Sequence, residues 1–267
     1  MTERVEHKRA VRRAFDRAAA SYDAAAAVQR EICTRLAHFA TDHPPAGAVA
    51  RILDAGCGTG YGLPLLAAQF PAAHRVAVDF APAMLTRLVQ GSGARPGTSP
   101  LCADLEALPF SDAAIDLAWS SLALQWCDPG LALAELARVL RPGARAWLAT
   151  LGPHTLWELR DAFTAIDSAE HVIAFHSLER WLAAAAQAGL ALQACDNAAS
   201  FALGPDLHSL LRDIKAIGAH SVGAARRRLP LGRAAWRALE TRYERHRRDD
   251  ALLPATYDVI YLVLAKP

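Results

Sequence analysis

A glycine-rich turn between a predicted strand and a predicted helix constrains this chain more than any other feature. Residues 52–60 read I-L-D-A-G-C-G-T-G, so two apolar β-formers lead into an acid, and three glycines then alternate over five positions. Glycine at these positions permits positive φ and lets a bound molecule lie against bare backbone. Open α/β sheets bind their ligands at this edge, where strands end and helices begin. The turn therefore predicts an α/β fold that holds a small molecule.

Strand-like and helix-like segments alternate along the chain after residue 46. Apolar patterns predict seven strands, over 49–54, 75–79, 101–103, 115–120, 144–151, 190–203 and 256–265. Helices are predicted between them, over 60–70, 82–89, 130–140 and 178–188. This rhythm implies a mostly parallel sheet with helices on both faces, which is the α/β fold class.

The same pattern divides the chain into four parts. The part over 1–45 is predicted to be an N-terminal helical cover, because apolar side chains recur at helical spacing from Phe15 onward. The α/β core spans 46–204, and its final strand lies in 251–267. Between them, 205–250 is predicted to be a helical insertion with eleven Lys or Arg against six Asp or Glu. This charge fits either solvated helix faces or a surface that steers an acidic protein or a phosphate-bearing carrier, and the insertion is expected to be a lid or a docking surface.

The global composition excludes several classes of function. A formal net charge of +2 over 267 residues gives no reason to expect a nucleic-acid or membrane partner. The five cysteines are scattered without a C-x-x-C pair, so neither a zinc site nor a disulfide framework is predicted, and the reducing cytoplasm is the expected location. The histidines lack ligand spacing with carboxylates, so no metal site is expected. No apolar run approaches the roughly 20 residues that cross a bilayer.

The glycine turn and its acid indicate what kind of molecule would bind there. Gly56, Gly58 and Gly60, with Cys57 among them, would let the ligand approach the backbone closely. The helix after the turn would direct free N–H groups and its positive dipole end at a carboxylate. Asp54, at the carboxyl end of its strand, would anchor an ammonium group or an ordered water. The turn therefore suits the methionine end of S-adenosylmethionine better than a pyrophosphate.

Two further acids follow at the ends of the next two predicted strands. Asp79 would accept hydrogen bonds from both hydroxyls of a ribose, as acids at this position do in dinucleotide-binding folds. The turn and Asp79 alone do not separate a nicotinamide cofactor from S-adenosylmethionine. Asp104 would accept a hydrogen bond from the exocyclic amino group of an adenine, and Leu105 would pack nearby. Three acids at successive strand ends, each about 25 residues apart, match the Rossmann-like methyltransferases that use S-adenosylmethionine.

The segment after the fourth predicted strand would face the transferring methyl group. Residues 120–126 read S-S-L-A-L-Q-W and contain neither an evident general base nor the Asp/Asn-Pro-Pro-Tyr motif of amino-group methylation. An ionised nucleophile needs no base, and a carboxylate with a pKa near 4 is ionised at neutral pH. The segment therefore permits methyl transfer to a carboxylate, which mainly requires alignment of the reactants and exclusion of water.

Motifs spread over nearly the whole chain carry a more specific resemblance. They are F-D-R-A-A-A-S-Y-D at 15–23 with Gln29, L-P-F-S-D at 108–112, L-A-L-Q-W-C at 122–127, T-L-G-P-H-T-L-W-E-L-R-D-A-F at 150–163, R-D-I-K-A-I-G-A at 212–219 and L-P-A-T-Y-D-V-I-Y at 253–261. Together they resemble the malonyl-[acyl-carrier protein] O-methyltransferases of biotin synthesis. The glycine turn marks only the larger superfamily of S-adenosylmethionine-dependent methyltransferases.

The resemblance implies an activity and its partner. It implies a seven-stranded Rossmann-like sheet and methylation of the free carboxylate of a malonyl thioester, on acyl carrier protein or on coenzyme A. The methyl ester hides a charge, so that fatty-acid synthesis enzymes can elongate the chain as if it were apolar. S-adenosylmethionine is the implied methyl donor, and no metal is implied.

The resemblance also implies roles for site residues. The turn at 54–60 would hold the methionine moiety, and Asp79 would bind the ribose. Asp104 and Leu105 would lie at the adenine. Tyr22 would cover the cofactor. Ser121, Leu122 and Gln125 would line the site near the methyl group. Two positions depart from the family pattern, which often has Asn where Ser121 stands and a second Gly where Ala144 stands.

The malonyl carboxylate needs a cationic or hydrogen-bonding partner. Arg212 and Lys215 are the candidates, because two cations three residues apart share one face of a helix. Two alternative functions stay open at this point. One is methyl transfer to another small acceptor, such as a quinone precursor, and the other is a non-catalytic protein that binds S-adenosylmethionine.

Overall fold

Seven strands form one mixed sheet in the order β3-β2-β1-β4-β5-β7-β6. The computed structural model describes residues 2–91, 96–167, 169, 171–217 and 231–267. The strands are β1 (Arg51–Ala55), β2 (His74–Asp79), β3 (Thr98–Cys102), β4 (Ile115–Ser121), β5 (Leu140–Leu151), β6 (Ala191–Gly204) and β7 (Leu253–Ala265). β7 is antiparallel to both β5 and β6, and the pairs among β1 to β5 are parallel. The predicted α/β fold class, with a seven-stranded and mostly parallel sheet, is confirmed.

Helices flank the sheet on both faces. Those in the described part of the chain are α1 (Thr2–Ala18), α2 (Tyr22–Ala25), α3 (Ala27–Thr41), α4 (Gly62–Gln69), α5 (Pro82–Gln90), α6 (Pro129–Val139), α7 (Trp157–Phe163), α8 (Leu178–Gln187), α9 (Leu207–Ala216) and α10 (Arg233–Tyr243). Alternate residues of each strand face opposite sides of a sheet. Accordingly, Trp119 and Trp147 pack with α3 and α7 on one face, whereas Ala118 and Leu148 pack with α6 and α8 on the other.

The N-terminal helix begins earlier than the sequence pattern predicted. The apolar periodicity predicts a helical segment from Phe15 onward, but α1 already begins at Thr2. Its apolar stripe is short, because Val11, Ala14 and Ala18 are buried while most of the other side chains are charged. Charged contacts with the body of the protein, described below, therefore hold much of this helix in place.

The predicted insertion before the last strand contains two described helices. α9 and α10 lie between β6 and β7, and both contribute to the core on the face that holds α3, through Leu210, Ile214, Leu239 and Tyr243. Residues 218–230, which include Arg226, Arg227 and Arg228, lie outside the described residues. The division of the chain into 1–45, 46–204, 205–250 and 251–267 stays a prediction. Among the described helices, none is long and apolar enough to cross a membrane.

We expect α3 to be part of the cooperative core rather than a detachable cover. Leu36 in α3 is fully buried against the sheet, so Leu36→Ala should lower the free energy of unfolding by about 2–5 kcal/mol. Leu131 in α6 is 40% exposed, and Leu131→Ala should change stability by less than about 1 kcal/mol. Urea denaturation followed by circular dichroism measures both. Equal stability of the two variants would show that α3 is not packed as described.

Candidate functional site

The glycine turn is held against the neighbouring strand by its own backbone. The amides of Gly56 and Cys57 both donate to the carbonyl oxygen of Val78, at 2.8 and 2.9 Å. Gly56 has φ +83°, and an added Cβ there would lie 2.0 Å from the Cβ of Ala123. Glycine is therefore required at position 56 both by its conformation and by the close approach of the segment that follows β4.

Asp54 is a buried carboxylate at the end of β1. Only 2% of the residue is exposed, and its Oδ2 atom has no hydrogen-bond partner among the residues that the structure describes. Burial, reinforced by the nearby charge of Asp79, raises the pKa of Asp54 to about 8. A cation placed beside Oδ2 would favour the ionised carboxylate, so the position fits an ammonium group.

Asp79 links the glycine turn to the end of β2. Its Oδ2 atom accepts from the amide of Gly58 at 2.9 Å, and its Oδ1 atom accepts from the amide of Ala81 at 2.8 Å. Burial raises the pKa of Asp79 to about 6, although both amides favour the charged form. Each oxygen has a lone pair beyond these bonds, so Asp79 can still accept from hydroxyl groups of a ligand.

Asp104 follows β3 and is held from both sides. Its Oδ1 atom accepts from the amide of Glu106 at 3.0 Å, and its Oδ2 atom accepts from the ammonium group of Lys8 in α1. Lys8 also pairs with Glu106 at 2.7 Å, and Arg4 pairs with the same carboxylate. Lys8 is not among the site residues predicted from the sequence, because 96 residues separate it from Asp104 and no local pattern links the two.

These strand ends line two neighbouring pockets that share lining residues, and we name the two together the strand-end cleft. One half contains Asp54, the other contains Asp104, and each has a volume of about 70 Å³. The residues that line both halves are Tyr22, Gly56, Gly58 and Ser121. Of the eleven residues predicted to bind the cofactor, ten line this cleft: Tyr22, Asp54, Gly56, Cys57, Gly58, Asp79, Asp104, Leu105, Ser121 and Leu122.

Gly60 is the predicted cofactor residue that does not line the cleft. It has φ +92°, and an added Cβ would lie 3.1 Å from side-chain atoms of both Leu63 and Leu88. Glycine at position 60 therefore permits the conformation of the turn and leaves room for the side chains of Leu63 and Leu88. α4 begins at Gly62, two residues later than the predicted start of the helix.

A larger cavity of about 420 Å³ adjoins the strand-end cleft. Five residues line both: Phe15, Tyr22, Gln29, Leu122 and Trp126. The rest of the large cavity is mainly apolar, with Leu151, Leu156, Leu159, Phe163, Ile214 and Tyr257 among its lining. Most of the motifs that carried the family resemblance thus converge on one cavity, although they lie far apart in the sequence.

Two of these motifs are joined by buried hydrogen bonds. The amide of Asp258 in β7 donates to the hydroxyl of Thr155 at 3.1 Å. The carboxylate of Glu158, of which 1% is exposed, accepts from the amide of Thr256 at 3.1 Å and from its hydroxyl group. An added Cβ at Gly152 would lie 2.5 Å from an Asp258 carboxylate oxygen. These contacts fix the position of α7, whose Leu159 and Phe163 line the cavity.

The segment after β4 places three predicted residues at the strand-end cleft or the large cavity. Ser121 lines the cleft, as does Cys33 of α3. Leu122 has φ +57°, a strained conformation for a side chain of this kind, and its amide donates to the carbonyl of Ala149 at 2.9 Å. Gln125 lines the large cavity, and its amide nitrogen donates to the Leu122 carbonyl at 2.7 Å.

The structure separates the two predicted partners of the substrate carboxylate. Lys215 lines the large cavity and is also exposed to solvent, so it lies at the open side. Arg212 does not line it; its side chain is 66% exposed and pairs with Asp213 at 3.5 Å. His171 also lines the cavity, where it contacts Asp167 at 2.6 Å and stacks on Phe163. His171 is not among the site residues predicted from the sequence, because its spacing from other residues matches no motif.

One expected absence, that of a metal site, and one departure from the family pattern, at Ala144, can be compared with the structure. Within the described ranges, no group of three His, Cys, Asp or Glu side chains could hold a metal ion. Ala144 is buried in β5, and it is the preceding Gly143 that has positive φ, at +81°. The backbone at Ala144 therefore does not require the second glycine of the family pattern.

Comparison with known proteins identifies the family. A family model described as "Methyltransferase domain" matches residues 53–148. A malonyl-[acyl-carrier protein] O-methyltransferase from Dechloromonas aromatica (strain RCB) is 46% identical over 262 residues, which cover 97% of this chain and 95% of the relative. The chain belongs to the malonyl-[acyl-carrier protein] O-methyltransferase family. A second member, from Laribacter hongkongensis (strain HLHK9), is 45% identical over 265 residues, with coverage of 95% and 88%.

Solved structures support the fold of this O-methyltransferase family member. Geranyl diphosphate C-methyltransferase from Streptomyces coelicolor A3(2), in complex with Mg²⁺, geranyl diphosphate and S-adenosyl-L-homocysteine, superposes with a TM-score of 0.54. The match covers 88% of this chain and 79% of that chain at 17% identity, and at this identity it shows the fold alone.

Binding of an ammonium group beside Asp54 should release a proton. Because the pKa of Asp54 is about 8, its carboxyl is mostly neutral near pH 7, and the ligand cation would lower that pKa. Titration calorimetry with S-adenosylhomocysteine in buffers of different ionisation enthalpy should therefore show net proton release near pH 7. The released amount should shrink as the pH rises through 8, since the carboxylate is then already ionised.

The matched variant for this measurement is Asp54→Asn, which keeps the shape but cannot ionise. Its binding should be weaker and should release no proton from this position. A binding enthalpy that is independent of the buffer in the unmodified protein near pH 7 would contradict the assignment.

Proposed function

We propose that this protein transfers a methyl group from S-adenosylmethionine to the free carboxylate of a malonyl thioester carried by acyl carrier protein. The product is the malonyl methyl ester that primes the pimeloyl chain of biotin. One observation carries the proposal: the family motifs at 122–127, 150–163 and 253–261 build one apolar cavity that shares a wall with the strand-end cleft. The cytoplasm as the place of action is part of the same proposal.

The strand-end cleft fits the parts of S-adenosylmethionine in order. Asp54 would hold the ammonium group, and Asp79 would accept from the ribose hydroxyls. Asp104 would accept from the adenine amino group, with Leu105 packed against the ring. When bound, the cofactor supplies a methyl group on a positively charged sulfur. Tyr22 lines every part of this region, including the large cavity, and would cover the cofactor on the acceptor side.

The acceptor needs alignment more than activation. A malonyl carboxylate is ionised at neutral pH and attacks without a general base. Leu122 and Trp126 form an apolar wall that would keep water away from the reacting atoms. Holding the two reactants in line inside such a cavity provides the main rate enhancement for a displacement of this kind.

Direct assay of methyl transfer tests the proposal. Purified protein is mixed with labelled S-adenosylmethionine and, separately, with malonyl-carrier protein, malonyl-CoA and succinyl-CoA. We expect a labelled, base-sensitive methyl ester from the malonyl thioesters. If no malonyl thioester becomes labelled, while S-adenosylhomocysteine still binds, the proposed acceptor is wrong and another small acceptor or a non-catalytic role must be considered.

We propose Lys215, rather than Arg212, as the cationic partner of the malonyl carboxylate. Lys215→Ala should raise KM for a malonyl thioester by about tenfold, because a charge-assisted hydrogen bond contributes about 1.5–3 kcal/mol. Lys215→Arg should restore part of the affinity. Arg212→Ala is the matched control, since it removes a cation from the same helix but outside the cavity, and it should leave KM nearly unchanged. Loss of affinity in Arg212→Ala alone would reverse the assignment.

A further inference from the structure

The outer face of α1 carries positive charge that forms no ion pair in the described part of the chain. α1 contains six Lys or Arg against three Asp or Glu, in a chain whose formal net charge is only +2. Lys8 and Arg4 are used by Asp104 and Glu106, and Arg12 pairs with Asp16 at 3.9 Å. The other three, Arg9, Arg13 and Arg17, are exposed and have no ion pair among the described residues; we name them the α1 arginine stripe.

The helix geometry puts these three side chains in one row. Residues four apart lie on the same face of an α-helix, so Arg9, Arg13 and Arg17 follow one another along α1. The buried residues Val11 and Ala14 lie on the opposite side of the helix. The stripe therefore faces outward over about two turns, and no side chain within the described ranges pairs with its charges.

The stripe lies on the helix that covers the substrate-binding region. Phe15, on the same helix, lines both the strand-end cleft and the large cavity. Beyond the end of α1, the hydroxyl of Ser21 donates to the carbonyl oxygen of Ala216 at 3.0 Å. Ala216 is next to Lys215, which lies at the open side of the large cavity. A partner bound along α1 would thus be beside the entrance.

The basic insertion predicted from the sequence is a less suitable surface in its described part. Arg242, Arg247 and Arg248 pair with Asp161, Glu244 and Asp250, so their charge is already compensated. Arg233, Arg237 and Arg245 are exposed and unpaired in the part of the chain that the structure describes. However, α10 supplies no residue that lines the large cavity.

We infer that the α1 arginine stripe is the docking surface for the acidic acyl carrier protein that presents the malonyl group, an inference that rests on the proposed function. The carrier is an acidic protein, and its arm adds a phosphodiester. Three unpaired guanidinium groups can pair with carboxylates and phosphate on such a partner. Charges at the edge of an interface act mainly on encounter rate and specificity, so docking should affect KM for the carrier substrate.

The test compares a carrier-bound substrate with one that lacks the carrier. The variant Arg9→Glu/Arg13→Glu/Arg17→Glu is assayed with malonyl-carrier protein and with malonyl-pantetheine, which has neither protein nor phosphate. We expect KM for the carrier substrate to rise by about tenfold or more with kcat unchanged. Activity on malonyl-pantetheine should equal that of the unmodified protein, which also shows that the variant is folded. Added salt should narrow the difference between the two proteins on the carrier substrate.

The control Arg233→Glu/Arg237→Glu/Arg245→Glu makes the same change in net charge elsewhere on the surface. It should change KM for the carrier by less than about threefold, because screening limits the reach of exposed charges. The inference is overturned if the α1 variant matches the unmodified protein, if the control loses as much, or if the α1 variant loses activity on both substrates. If the unmodified protein methylates neither substrate, the proposed function itself fails.

Discussion

The parallel pairing of β1 with β2 on one side and β4 on the other is the constraint on which the rest of this molecule depends. Asp54 lies opposite Ala77 of β2 and Trp119 of β4. Parallel strands end at the same edge, so the turn after β1, the acid that ends β2 and the segment after β4 meet there. The contact between Gly56 and Ala123 is a direct result of this convergence.

This edge of the sheet carries two buried carboxyl groups, Asp54 and Asp79, that form no ion pair among the described residues. Burial raises the pKa values of both Asp54 and Asp79, and the charge of Asp79 further disfavours ionisation of Asp54. Such an arrangement contributes little to stability by itself, since burial of a carboxylate is unfavourable without a partner. It is what a site for a positively charged ligand requires. The left-handed backbone conformation of Leu122, at the same edge, is also energetically unfavourable and also lies next to the site.

The acceptor cavity depends on a different set of contacts. Thr155 and Glu158 bind the backbone of β7 at Asp258 and Thr256, and so hold α7 against the sheet. The two motifs are about 100 residues apart in the chain. Few residue types fit these two motifs, because polar groups of one motif form buried hydrogen bonds with polar groups of the other. Both motifs also supply residues that line the cavity, such as Leu159 and Tyr257. Family-specific sequence here reflects the shape of the cavity more than the chemistry of the reaction.

The sequence by itself determined the fold class, the position of the glycine turn and the three acids at the strand ends. These follow from local rules: periodic apolar side chains, glycine where φ is positive, and one acid after each of three strands. Only the tertiary structure decided that Lys8 holds Asp104, that Lys215 lines the large cavity while Arg212 does not, and that Gly60 serves packing. The reason is that these assignments depend on contacts between segments distant in the chain, and no local pattern records which segments meet.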